Sequence, residues 1–297
     1  MEGVTDIVFR HVVLKAGRPD VFFTEFTNAT GFCSPEGHDN TVRFLAHSED
    51  EMPLVAQLWG TEPEHFTQTA RELKKMGFAG IDINMGCPVK NVIQKGACSA
   101  LIENPSLAQE IIAATKEGGL PVSVKTRVGF KTQKTEEWIS FLLRQGLVAL
   151  TVHARTAKEM SKVPARWEEI KKAVQIRNAI APTTLLIGNG DIANREDGLK
   201  HAEETGVDGV MIGRGIFHDP FCFEKTPQEH TFKEHIELLR YHLDLFDAMS
   251  SMRTFEPLKR FFKIYVRSFP GASELREQLM HTRNTDEARV VLELSNY

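Results

Sequence analysis

No stretch of the 297 residues approaches the ~18 consecutive apolar side chains of a membrane span, and no charged-then-apolar signal segment opens the sequence. Cysteine is scarce. Cys33, Cys87, Cys98 and Cys222 lie far apart without a CxxC spacing, which argues against a zinc site or a disulfide scaffold and for a reducing, cytoplasmic setting. No metal centre is expected. The net charge of −4 does not by itself suggest a nucleic-acid partner. A Gly-rich first strand–helix turn, which an open doubly wound sheet would want, is missing too.

What remains is an ordinary soluble composition, 41% hydrophobic and 26% charged, long enough for one large core and a smaller attached unit. Short β-branched and apolar runs fall at 21–26, 53–58, 80–84, 122–126, 149–153, 185–189 and 209–213. Amphipathic helical patterns at 62–76, 106–117, 135–145, 167–176 and 195–205 lie between them. Alternation of this kind implies a parallel sheet buried on both faces. Seven units fall one short of the eight that close a barrel. The expected fold is therefore α/β: a (β/α)8 TIM barrel over 1–228 whose first strand is missing from this chain, then a C-terminal helical domain over 229–297. Met1 to Asp6 reads as a loop entering a helix over 6–14, so that strand is expected upstream, in about ten further residues. Helices over 235–248, 256–268, 273–280 and 286–294 make up the tail.

The chemistry gathers at the strand ends. Ile81-Asp82-Ile83-Asn84-Met85-Gly86-Cys87-Pro88 reads as a buried strand that delivers a thiol into a tight turn. A free cysteine is most often a small core residue. Here Asn84 beside it, and Lys125 and His153 ending two other strands, make a site the better reading. Gly188-Asn189-Gly190-Asp191 and Ile212-Gly213-Arg214-Gly215 end the last two strands with small residues before a helix. That is the position of a backbone phosphate cradle, to which Arg214 adds charge. Gln57 can bond a planar heteroaromatic edge, and Lys125 can place a cation beside a ring that becomes anionic on reduction. His153 can bond a phosphate or a carbonyl. Together these groups fit flavin mononucleotide (FMN), a phosphate joined to a redox ring.

Charge is unevenly spread. Residues 125–172 hold eleven Lys/Arg against five Glu, and residues 253–276 six against two. Such segments are commonly solvated helix faces, but two of them in an acidic protein hint at a polyanionic ligand.

With these residues assembled, the chain resembles the tRNA-dihydrouridine synthases, flavoenzymes that reduce specific uridines in tRNA. The resemblance runs from Met1-Glu2-Gly3-Val4-Thr5-Asp6 through the Cys87 turn, Val124-Lys125-Thr126-Arg127 and His153-Ala154-Arg155-Thr156. It continues through both glycine loops to Leu258-Lys259-Arg260-Phe261-Phe262. It implies that Cys87 donates a proton, and that Met1, Gln57, Lys125, His153, Asn189, Gly190, Asp191, Gly213 and Arg214 contact FMN. It also implies that Asn84 lies near the target uracil and that the helical domain binds tRNA. NADPH or NADH would reduce the flavin, whose N5 would pass hydride to uracil C6 while Cys87 protonates C5. An ordinary thiol, with a pKa of about 8.5, still carries its proton at pH 7. The uridine has to leave its stack to reach the barrel mouth. Arg127, Arg155, Lys158 and Lys162 are expected to hold substrate phosphates near that mouth, and Lys259, Arg260, Lys263 and Arg267 to do so on the tail. Cys98 reads as a packing residue.

Three departures stand out. Nothing precedes Met1 where the family has a strand ending in Ala-Pro, Ala154 stands where glycine is usual, and Glu159-Met160-Ser161-Lys162 replaces a common Gly-Tyr pair. Two rival readings stay open: an FMN-dependent reductase of a free pyrimidine, and an inactive tRNA-binding remnant. The first has no need of a cationic tail; the second predicts a colourless protein. A monomer with neither a membrane nor an obligate protein partner completes the expectation.

Overall fold

The computed structural model describes residues 3–249 and 254–295. Helix α1 (Ile7–Ala16) starts where the Asp6 carboxylate accepts the Phe9 N–H at 2.7 Å, satisfying a donor that the first turn leaves unpaired. Seven strands follow: β1 (Phe22–Asn28), β2 (Leu54–Trp59), β3 (Gly80–Met85), β4 (Val122–Arg127), β5 (Ala149–His153), β6 (Leu185–Asn189) and β7 (Gly209–Met211). Every neighbouring pair is parallel and the spatial order is the chain order, the arrangement of a β/α barrel. Among the described residues β1 and β7 each pair on one side only.

The crossovers are α2 (Pro63–Lys75), α3 (Pro105–Lys116), α4 (Thr135–Leu143), α5 (Trp167–Ile180) and α6 (Arg195–Thr205). β3 is buried along its whole length, as expected of a strand covered on both faces. The β1–β2 connection instead holds two short helices, Ala29–Cys33 and His38–Val42, for which no amphipathic pattern was found. β7 stops at Met211 because Gly213 leaves the strand region, at φ −107° and ψ −100°. In the tail, α7 (Phe232–Met249), α8 (Ala272–His281) and α9 (Thr285–Leu294) match the expected helices. The one expected over 256–268 does not form whole. It divides into a 3₁₀ turn, Glu256–Phe261, and a short helix, Phe262–Tyr265, and Ser268 at φ 61° takes a backbone no α-helix continues through.

One continuous apolar core joins barrel and tail. Phe9 of α1 meets Phe261 at a ring distance of 4.6 Å, and His242 of α7 reaches the Tyr265 hydroxyl at 2.8 Å. Burial pushes the His242 pKa down to about 3, so the ring packs as a neutral group. No helix among the described residues is long and apolar enough to cross a membrane.

A buried ion pair ties α1 to the loop before β2. Arg10 Nε donates to Glu51 Oε1 at 2.6 Å, and its other nitrogens donate to the carbonyls of Thr5 and Ala46 at 2.7 Å each. Both side chains are essentially inaccessible, so removing one strands the other's charge. Arg10→Met alone should lower the unfolding free energy by about 3–5 kcal/mol. Arg10→Met with Glu51→Leu should cost less than either single change, as read from urea midpoints. A single variant as stable as wild type would show that the pair does not hold the entry to the barrel.

Candidate active site

A parallel sheet brings the C-terminal ends of its strands to one edge, and the register sets which of them are neighbours. Gln57 lies opposite Asp82, Asn84 opposite Lys125, Arg127 opposite His153, and His153 opposite Asn189. Residues from five strands therefore share one mouth.

The Cys87 turn is held from three directions. Asn84 Oδ1 accepts the N–H groups of Gly86 and Cys87, at 3.1 and 3.0 Å. Arg127 Nε donates to the Gly86 carbonyl at 2.7 Å, and Ser99 Oγ donates to the Cys87 carbonyl at 2.8 Å. Cys87 is partly accessible while Cys98 is buried, so the packing reading of Cys98 fits its surroundings. The Cys87 side chain lies within electrostatic range of both Lys125 and Arg127.

Lys125 is half-buried, and its Nζ donates to Asn189 Oδ1 at 3.1 Å; Asn189 Nδ2 in turn donates to the Met211 carbonyl at 2.7 Å. Burial, and next the Arg127 charge, lower the Lys125 pKa to about 8, against the pull of Asp82 and Cys87. Lys125 thus remains a cation at neutral pH, near its titration point. His153 Nε2 lies 3.1 Å from Arg155 Nη1. A guanidinium only donates, so Nε2 accepts and the ring proton sits on Nδ1. Burial, then the charges of Lys125, Arg127, Arg155 and Arg214, hold His153 neutral far below its usual pKa.

The two glycine loops press together. Gly190 has φ +127°, where a side chain would be strained, and its Cβ would fall 2.9 Å from that of Ala165 and 3.1 Å from the His153 ring. A Cβ on Gly213 would meet nothing within 4 Å, which leaves open space at the start of the next turn. Arg214 is exposed there and pairs with Asp191 at 3.5 Å. Burial works against ionisation of Asp191, but bonds from Arg155 and the Ala165 N–H hold its carboxyl below the usual range. A glycine-lined opening with a cation at one end, and amides, an amine and a neutral imidazole at the other, suits a ligand with an anionic end and a planar polar ring.

Two expected phosphate contacts need correction. Arg127 and Arg155 are buried, not displayed at the mouth. Arg127 Nη1 donates to the carbonyls of Thr156 and Met160, and Arg155 donates to the Val163 carbonyl and to Asp191. Both brace the loop after β5, whose Glu159 is gripped by Arg166 at 2.6 and 2.8 Å. Lys158 and Lys162 on that loop are exposed. In the tail Lys259 is bound to Glu256 at 2.8 Å, with little of its side chain accessible. Arg260 and Lys263 do face a cleft of about 480 Å³, shared with Val4, Arg214, Phe217, His218 and Arg267. Arg260 reaches the Gly3 carbonyl at 2.8 Å and Arg267 the His218 carbonyl at 2.5 Å, so the cleft joins barrel and tail. A larger hollow of about 820 Å³ lies against α2, beside Phe32 and Cys33, and shares no residue with the strand ends. Met1 lies outside the described residues. Sequence reasoning passed over Asp82, a carboxyl buried within β3. An acid inside an otherwise apolar strand was the available signal.

The family model described as dihydrouridine synthase matches residues 1–296. The "Probable tRNA-dihydrouridine synthase" of Staphylococcus aureus (strain COL) is 57% identical over 296 residues, covering 99% of this chain and 90% of that protein. The "Probable tRNA-dihydrouridine synthase 2" of Bacillus subtilis (strain 168) is 55% identical over 296 residues, covering 99% and 91%. Among solved structures, histamine dehydrogenase from Rhizobium sp. 4-9 superposes with a TM-score of 0.54 at 12% identity, over 80% of this chain and 46% of that one, a likeness of fold alone.

The lowered Lys125 pKa has a testable sign. The folded state gives up this proton before the unfolded state does, so its contribution to stability rises with pH between about 8 and 10.5. In the ligand-free protein, wild type should therefore gain on Lys125→Met by roughly 1–3 kcal/mol across that window. A pH-independent difference in urea midpoints would show that the charged amine is not desolvated.

Proposed function

The chain belongs to the dihydrouridine synthase family, and from that premise we propose that it is an FMN-dependent tRNA-dihydrouridine synthase driven by NADPH or NADH. The observation that carries this reading is the held Cys87 turn beside Lys125 and His153, on a mouth that adjoins a cationic cleft. Gln57, Lys125 and His153 would hold the ring of FMN, and Asn189, Gly190, Asp191, Gly213 and Arg214 its phosphate arm. FMN when bound supplies the two-electron chemistry at uracil C6. The protein's own task is to present a proton to C5, and the bonds from Asn84, Arg127 and Ser99 fix where the Cys87 thiol stands. Asn84, at the foot of that turn, would lie near the target uracil.

Arg260, Lys263 and Arg267 around one cleft would supply the backbone contacts a tRNA needs, and a free pyrimidine has no use for them. Residues 1–228 would form the flavin unit and 229–297 the RNA-binding unit. A tRNA substrate favours an enzyme of the cytoplasm, which we propose to act as a monomer without an obligate protein partner.

Purified protein should be yellow and should convert uridines of a tRNA transcript to dihydrouridine with a nicotinamide reductant. Cys87→Ala should keep its flavin and lose roughly 10²- to 10⁴-fold in that conversion. Reduction of free uridine in preference to tRNA, or full turnover by Cys87→Ala, would overturn the corresponding part of the reading.

Affinity for tRNA should fall steeply with salt. Arg260→Ala with Lys263→Ala should flatten the slope of log affinity against log salt by roughly 1.5, the value for two phosphate contacts. The same change at Lys259, paired and largely covered, should alter it little. An unchanged slope in the double variant would remove the cleft from the RNA path.

A further inference from the structure

A single file of hydrogen bonds runs beneath the mouth, and every donor in it points the same way. The N–H groups of Gly86 and Cys87 can only donate, so Asn84 must turn Oδ1 to them. That leaves Asn84 Nδ2 to donate to Gln57 Oε1, at 3.1 Å. Gln57 Nε2 must then find an acceptor, and Asp82 Oδ2 receives it at 2.7 Å. Ser123 Oγ donates to the other carboxyl oxygen at 2.6 Å. Asp82 has no accessible surface, yet among the described residues no cation bonds it directly. A buried carboxyl is costly, and a structural acid would be expected to sit in an ion pair, as Glu51 does with Arg10.

We propose that Asp82 is a positioning residue for the reduction, the terminal acceptor that orients the Gln57 and Asn84 amides beneath the flavin ring. The proposal rests on the FMN reading above. Either amide turned over would set donor against donor along the file and present the wrong atoms to a ring above it. Burial raises the Asp82 pKa to about 6, against the bonds from Ser123 and Gln57 and the Lys125 charge, so at pH 7.5 it is an anion that only accepts.

The test exchanges donor and acceptor without changing shape, and it reads FMN binding by the flavin-free protein from quenching of flavin fluorescence. Gln57→Glu alone sets two carboxylates against each other and should weaken FMN binding at least tenfold. Asp82→Asn alone can still offer an oxygen to Gln57 and should stay within about threefold of wild type. Combined, Asn at 82 donates to Glu at 57, which accepts from Asn84, so the double variant should recover most of the affinity that Gln57→Glu loses. Losses that multiply instead would overturn the proposal, because a residue serving only the fold cannot restore binding lost at position 57. So would wild-type affinity in Gln57→Glu. A wild-type protein that takes up no FMN would sink the cofactor reading and this proposal with it, whereas failed rescue in a protein that binds FMN sinks the proposal alone.

Discussion

Parallel strands in chain order must all end on the same edge of the sheet, and the site depends on that constraint more than on any single bond. The register sets Asn84 beside Lys125 and Arg127 beside His153 although the members of each pair lie tens of residues apart in the chain. Convergence also concentrates charge. Among the described residues Lys125, Arg127, Arg155 and Arg214 all act on His153, while Asp82, Asp191 and Glu159 answer them. A mouth built in this way is short of negative charge. It suits an anionic ligand arm, and it adds to burial, the larger cause, in keeping the histidine neutral.

The interior of the site is polar but not loose. Each amide near the mouth is spoken for at both ends: Asn84 by the Cys87 turn and Gln57, Gln57 by Asn84 and Asp82, Asn189 by Lys125 and Met211. Amides so constrained lose little freedom when a ring settles on them, and they hold one donor pattern in readiness. Arg127 does the same for the thiol by tying the Gly86 carbonyl to the loop that follows β5. The site's rigidity therefore comes from groups that are mostly buried.

Much of this was legible in the chain. Strand ends carry their own punctuation, so Cys87, Lys125, His153 and both glycine loops could be placed on one edge from apolar runs that stop at polar residues. The helical tail declared itself by the loss of alternating strands. What was not legible is direction. Arg127 and Arg155 read as mouth cations because a basic residue at a strand end looks the same whether it faces solvent or turns sideways to carbonyls. Lys259 misled in the same way, since its partner Glu256 lies one helical turn back and cancels it. The divided helix at 256–265 kept its apolar spacing, and spacing alone cannot distinguish a 3₁₀ turn from an α-helix.

The tail's position has a physical cause that bears on the cleft. Phe9, Phe261, His242 and Tyr265 form one buried junction, so the tail is packed on α1 by the same kind of contact that fills the barrel. Arg260 and Arg267 then spend one nitrogen each on the carbonyls of Gly3 and His218. A guanidinium has further N–H groups, so each bond to the protein aims the remaining charge at the cleft without using it up. Lys263 is placed differently, its amine 6.0 Å from the centre of the Phe217 ring. A net acidic charge is therefore no bar to a polyanionic ligand, because what such a ligand would meet is the local arrangement of these cations and not the net charge.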